Sequence, residues 1–358
     1  MSTGAANFSP GHPSRGMTIF SSPYPLGDDG CVTPPARFSG KRAVSAHRKR
    51  GHLLPRPLIS MGRKGDTMNG TKRALLLLLA LGVLGACLLL PFRLGRALGA
   101  FVPAEDGVPV PVLMYHSVVE SAAYAGQYAV TRAALAGDLA ALRERGYTFV
   151  SCAQLIDFCH GRGDLPEKPL FLTFDDGYLN NLRFLPELLE EYDGYALVAA
   201  VGEFCDIYQT AGDDGSPHCG MSWDALAEAA ASPRLEVANH SYYFHHMGAR
   251  PGTGQKAGES KSDWSAAFAS DISRMQDAVR EHCGLTPQSF TYPFGQETAG
   301  ADAILRDLGI QASFNSREEV ARLRRGHPED LYSIGRFCRD GRVSTAAFLS
   351  RWESTGGR

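Results

Sequence analysis

The eight cysteines include no Cys-x-x-Cys pair, so the spacing of a structural zinc knuckle is missing. No internal repeat is evident. Charge of one sign is not in excess overall: 36 Lys and Arg stand against 38 Asp and Glu, a net of -2. At 44% hydrophobic and 21% charged, the 358-residue chain is neither mainly disordered, nor a collagen, nor a polytopic membrane protein. The near-neutral total hides an asymmetry. Residues 1–73 hold 12 Lys and Arg against 3 Asp and Glu, or +9, whereas residues 99–358 hold 22 against 35, or -13. The acidic body lacks the basic patches that phosphate contacts require, which excludes nucleic acid as an expected partner. No protein partner can be inferred.

Residues 1–67 carry 8 of the 21 prolines and no sustained apolar period. They read as a disordered basic tail, or as a mis-assigned upstream stretch with the true start at Met61 or Met68. Residues 74–90 are 17 uncharged residues, ten of them Leu, preceded by Lys72 and Arg73 and ended by Pro91. A helix of that length spans about 26 Å, close to a hydrocarbon core of ~30 Å. Residues 74–92 are therefore expected to be a transmembrane or signal-anchor segment, with 93–107 as a linker. Positive charge is denser before the run than after it, so the body is expected outside the cytosol, held at the cell membrane by a single pass. The alternatives are secretion, or a lipoprotein processed near Leu84-Gly85-Ala86-Cys87. Six cysteines lie in the exported part, which permits disulfides, and Cys205 with Cys219 is the expected bridge.

From residue 108 to 355 strand and helix patterns alternate. Apolar runs at 108–119, 170–174, 196–201, 235–238, 289–292, 311–314 and 332–337 read as strands. Helical periods fill 131–145, 180–192, 223–231, 266–282, 301–308 and 345–352. This order implies an α/β fold of parallel strands, a barrel or a wound sheet, with chemistry at the C-terminal strand ends.

Three clusters sit at such ends. Thr173-Phe174-Asp175-Asp176-Gly177-Tyr178 places adjacent carboxylates where one can bind a metal and the other act as a base; the alternative is a plain Asp-Gly turn, in which Asp-to-Asn changes are mild. Asn239-His240-Ser241-Tyr242-Tyr243-Phe244-His245-His246 carries three imidazoles just after a strand. Thr291-Tyr292-Pro293-Phe294-Gly295 runs from a strand into a turn.

Together with Pro111-Val112-Leu113-Met114-Tyr115-His116, these motifs resemble the polysaccharide deacetylase family, the NodB-homology carbohydrate esterases. The resemblance implies a distorted (β/α) barrel and a divalent metal, with Zn²⁺ expected. Asp175 would be the catalytic base, Asp176 and His240 metal ligands, and the Phe294 backbone N–H an oxyanion donor. The third ligand would be His245, through a His-Ser-Tyr-x-x-His spacing, with His246 as the fallback. His116, Tyr178, Tyr292 and Arg336 are candidate pocket residues. The family arginine of the last motif is absent, Thr291 standing in its place, and so is the late Leu-x-x-His. Arg336 or Arg339 could line the pocket instead, and His327 is a weak candidate acid. The implied activity is N-deacetylation of an N-acetylated surface polysaccharide such as peptidoglycan or an exopolysaccharide. The alternatives are an O-acetyl esterase and a non-catalytic glycan-binding protein.

Overall fold

The computed structural model describes residues 107–354. Strands β1 (Val108–Val110), β2 (Val112–Tyr115) and β3 (Ser117–Val119) come first, where one strand over 108–119 was expected. Strand–helix pairs follow: β4 (Ala129–Thr131) with α1 (Arg132–Glu144), β5 (Thr148–Val150) with α2 (Cys152–Cys159), and β6 (Pro169–Phe174) with α3 (Leu179–Glu191). Next, β7 (Ala196–Ala200) leads into α4 (Gly202–Ala211) and α5 (Trp223–Ala231), β8 (Leu235–Asn239) into α6 (Lys261–Cys283), and β9 (Ser289–Thr291) into α7 (Ala301–Asp307). Finally β10 (Ala312–Phe314), β11 (Ala321–Leu323) and β12 (Phe337–Cys338) precede α8 (Thr345–Glu353). The boundaries follow local chemistry. Thr131 caps α1 by accepting from the Ala134 N–H, and Leu135, Leu139 and Leu142 are its buried stripe. Helix α2, which the apolar pattern alone did not reveal, starts on a capping box of Ser151 and Gln154.

The main sheet runs β10-β9-β8-β7-β6-β2-β12, and β5 also pairs with β6. Every pairing within it is parallel. The result is a half-barrel rather than a closed one, because no ladder joins β10 to β12. Residues 334–338 cross that gap instead: Ile334 bridges Phe314, and Phe337 pairs with Leu113. The expected strand at 332–337 is thereby corrected. Ser333 takes φ +58°, which interrupts extension, and only Phe337–Cys338 is a strand. The inward face packs Val112, Phe171, Leu197, Ala199, Ala238, Ala312 and Phe314. The outward face packs Leu113, Leu172, Val198 and Val237 under the helices. Strands buried on both faces account for their continuous apolar runs.

The six cysteines in the described residues are free, so the expected Cys205–Cys219 bridge is not formed. The Cys219 thiol is turned toward the Gly220 carbonyl at 3.6 Å, and Cys205 packs into the core beside Met221 and Trp223. Among the described residues no helix is long and apolar enough to cross a membrane. The expected segments at 1–67, 74–92 and most of 93–107 lie outside the described residues.

Candidate metal centre and active site

Side chains alternate across a strand, and this decides what reaches the barrel interior. On β6, Leu172 and Phe174 point outward and Phe171 inward. Thr173 and the following Asp175 continue the inward series, and both meet Arg336. On β2, Val112 points inward and Leu113 and Tyr115 outward, so His116 falls inside. On β8, Ala238 points inward and His240 follows it. All three site residues lie just past the C-terminal ends of parallel strands.

In a straight strand Asp176 would face away from Asp175. A φ of +71° at Asp176 breaks the extension and turns its carboxylate back to the site. Ser241 (+70°), after His240, and Phe294 (+56°) share this left-handed conformation. It is sparsely populated by non-glycine residues and costs of order 1–3 kcal/mol each. Asp176 Oδ1 then lies 3.5 Å from His240 Nε2 and 3.0 Å from His245 Nε2. The ligand atoms of Asp176, His240 and His245 all fall within 4.8 Å of one another.

The tautomer of His240 follows from its other nitrogen. Nδ1 stands 2.8 Å from the Thr291 carbonyl, which can only accept, so Nδ1 carries a proton and Nε2 is the nitrogen turned to the cluster, where a metal would take it in place of a second proton. The Thr291 hydroxyl contacts the same nitrogen. A neutral imidazole tied back through its second N–H is the usual arrangement of a metal-ligating histidine. Two imidazole nitrogens and one carboxylate oxygen fit a divalent ion that keeps positions for water and substrate. His246 is not brought into this group: it is exposed, with Nε2 2.6 Å from Glu203. The His245 ring packs instead between Phe204 and Phe294, at centroid distances of 5.3 and 4.6 Å.

Asp175, 3% exposed, is gripped by Arg336, 1% exposed, through two bonds of 2.7 Å. The guanidinium also donates to the Asn315 carbonyl at 2.9 Å and to Thr173 Oγ1 at 3.1 Å. Burial would raise the Asp175 carboxyl, but the charges of Arg336 and His240 outweigh it and hold the group below its ordinary range. Burial acts likewise on Asp176, and His245 and His240 bring it lower still. Asp175 is thus ionised at neutral pH, with lone pairs left to accept a proton. Arg336→Lys keeps the charge and loses the two-pronged grip. It should lower kcat while melting above Arg336→Met, a comparison that calorimetry and a turnover assay settle. Equal kcat for wild type and Arg336→Lys would show that the grip does not position Asp175.

His116 is largely buried, and its Nδ1 has no hydrogen-bond partner among the described residues. Burial lowers its pKa, more than the nearby Asp176 and Asp175 carboxylates raise it. Its ring tilts against Tyr128 at 4.8 Å. Burial, then Asp176 beside it, pushes the Tyr178 hydroxyl up. Tyr292 is turned away from the pocket, contrary to its sequence assignment. It follows the outward parity of Phe290, and its hydroxyl donates to Asp302 at 3.0 Å. Arg339 also faces outward and pairs with buried Asp138 at 2.7 Å. His327 is exposed and contacts Glu329. Asp271 and the His240-orienting role of Thr291 were not foreseen. Thr291 is an inward polar residue at the end of a strand, and that was the one available signal.

Residues 162–313 match the family model described as polysaccharide deacetylase. That segment is a polysaccharide deacetylase domain. It is 26% identical over 283 residues to the poly-beta-1,6-N-acetyl-D-glucosamine N-deacetylase of Escherichia coli (strain K12), covering 71% of this chain and 41% of that protein. The chain thus spans about two fifths of the length of this curated relative. Among solved structures, IcaB from Ammonifex degensii aligns with a TM-score of 0.55 at 27% identity, covering 69% of this chain and 97% of that one. Streptococcus pyogenes deacetylase PplD, in complex with acetate, aligns with a TM-score of 0.55 at 18% identity over 68% of this chain and 98% of that one, a likeness of fold. The half-barrel of parallel strands matches the fold of these deacetylases.

Proposed function

We propose that this chain hydrolyses N-acetyl groups from an exopolysaccharide built on N-acetylglucosamine, using a divalent ion, Zn²⁺ first among candidates, held by Asp176, His240 and His245. The observation that carries the proposal is the ionised, buried Asp175 standing beside that three-ligand cluster. When bound, the metal would supply Lewis-acid polarisation of the acetamide and of the attacking water. Asp175 takes a proton from water as its oxygen attacks the acetyl carbon. The Phe294 N–H holds the oxyanion that develops on the former carbonyl. The C–N bond then breaks as the sugar nitrogen takes the proton that Asp175 accepted from water, leaving acetate and a free amine. His116 lies near both carboxylates, and its Nδ1, without a hydrogen-bond partner among the described residues, is free to contact the substrate. Adjacent carboxylates do not suit glycoside cleavage, which needs carboxyls about 5–9.5 Å apart across the sugar bond.

The deciding experiment measures acetate release by the zinc-loaded protein from poly-N-acetylglucosamine, chitin oligomers, peptidoglycan and acetylxylan. Release from the first above the others is expected. Release from acetylxylan alone would make the chain an O-acetyl esterase, and metal retention with no release from any substrate would make it a glycan binder. The proposed location is extracytoplasmic, anchored through residues 74–90. A reporter fused after Arg358 should be active only as an export-dependent fusion; activity of a strictly cytosolic reporter there would reverse the topology.

A further inference from the structure

His240 and His245 lie five positions apart, so no regular helical turn places both on one face. Something must hold the intervening backbone in a wider turn. The first constraint is local: Asn239 Oδ1 accepts the Ser241 N–H at 2.9 Å, and Ser241 takes its left-handed φ. The second comes from α4, whose first two amides donate to the Ser241 and Tyr242 carbonyls at 3.1 and 2.9 Å. Gly202 permits this approach, since a Cβ there would meet the Tyr242 ring at 2.4 Å. The third comes from the middle of α6. Asp271, 7% exposed, accepts the Tyr242 N–H on one oxygen and the Tyr243 N–H on the other, each at 2.8 Å. One turn on, the Arg274 guanidinium covers both rings of the same dipeptide, at 4.0 and 4.5 Å. The Ile272 carbonyl of the same helix accepts from the Asn239 side chain at 3.0 Å.

Resting on the metal reading above, we infer that Asp271 is a positioning residue for the metal centre: through the Tyr242 and Tyr243 amides it sets the turn that brings His245 to Asp176. A carboxylate suits the task because it offers two acceptors side by side and no donor. An asparagine must aim its NH₂ at one of the two N–H groups. The bond on that side is lost, and the turn that carries His245 relaxes.

The test compares wild type, Asp271→Asn, His245→Ala and Val279→Ala as full-length chains. Val279 is buried in the same helix, apart from the dipeptide, and serves as a control for plain destabilisation. Zinc dissociation constants are read by chelator competition, and the coordination sphere by the visible spectrum of the cobalt-loaded protein. Asp271→Asn should bind zinc about 10–100-fold more weakly, the usual effect of losing a partner behind a ligand. Its cobalt spectrum should move toward that of His245→Ala. Val279→Ala should melt earlier with affinity and spectrum unchanged. Wild-type affinity and spectrum in Asp271→Asn would overturn the inference alone, as would an equal loss of zinc in Val279→Ala. If Asp271→Asn does not fold, Asp271→Ser is read in its place. Failure of both to fold would also overturn the inference, since Asp271 would then serve the whole domain rather than one ligand. A wild-type chain that binds no zinc would sink the metal reading itself.

Discussion

Asp175→Asn should keep zinc, lose about 10²–10⁴ in kcat, the usual contribution of a general base, and melt at a lower temperature. The two losses have separate origins. The amide cannot take the proton from water, which removes the base. It also leaves the buried Arg336 guanidinium without its counter-charge, and breaking a buried pair costs about 3–5 kcal/mol. Asn retains one acceptor, so the low end applies, and for a domain of this size the melting temperature should fall by roughly 6–12 °C. The sign with pH follows from the depressed Asp175 carboxyl. Its stabilisation is present above the ordinary carboxylate value and is lost as pH falls through the depressed one. The gap in stability between wild type and variant should therefore narrow below about pH 4. Metal content, acetate release and calorimetry on one preparation separate these effects. Unchanged turnover would remove Asp175 as the base, and unchanged melting would mean that Arg336 finds other partners.

His245→Ala should empty the centre, while His246→Ala should leave it nearly full. His245 brings its Nε2 within 3.0 Å of Asp176, and only two of the three clustered ligands remain without it. The loss in zinc affinity should exceed the ~100-fold upper range for residues behind a ligand. His246 faces Glu203 at the surface, and exposed pairs of this kind contribute about 0–1 kcal/mol. Mass spectrometry of bound metal decides between the two. Zinc retained by His245→Ala and lost from His246→Ala would reassign the third ligand.

The residues of this site differ in how readable they are from the chain, and the reason is sequence distance. Asp175, Asp176, His240 and His245 sit in short runs after apolar strands, and the resemblance of those runs to family motifs implied their roles, while strand parity alone accounts only for Asp175 and His240. Arg336 grips Asp175 from 161 positions away, and nothing near Arg336 names its partner. Its inward aim is set by Phe337 pairing outward beside Leu113, a register visible only in the folded sheet. Asp271 is harder still, because one of four acids in a long amphipathic helix looks like surface until Tyr242 and Tyr243 are packed against it. Tyr292 misled in the opposite way: its motif is functional, but its parity faces the outer core. The Asp175–Asp176 turn looked tolerant of amides, and burial against Arg336 makes it intolerant.

The pairing of β2 with β12 has a practical consequence for anyone cutting this chain. Both strands lie outside residues 162–313, the stretch that matches the family model. A fragment trimmed to that match would lack His116 and Arg336, and would leave Asp175 a buried anion with no cation opposite. It would also strip β2 and β5 from β6, exposing the apolar Pro169–Phe174 strand as a bare edge. Such edges invite pairing with other chains. The fragment should therefore be recovered as aggregate, whereas a piece spanning 107–354 keeps the edge covered and the pocket whole. The segment that identifies the family is smaller than the unit that can fold and work.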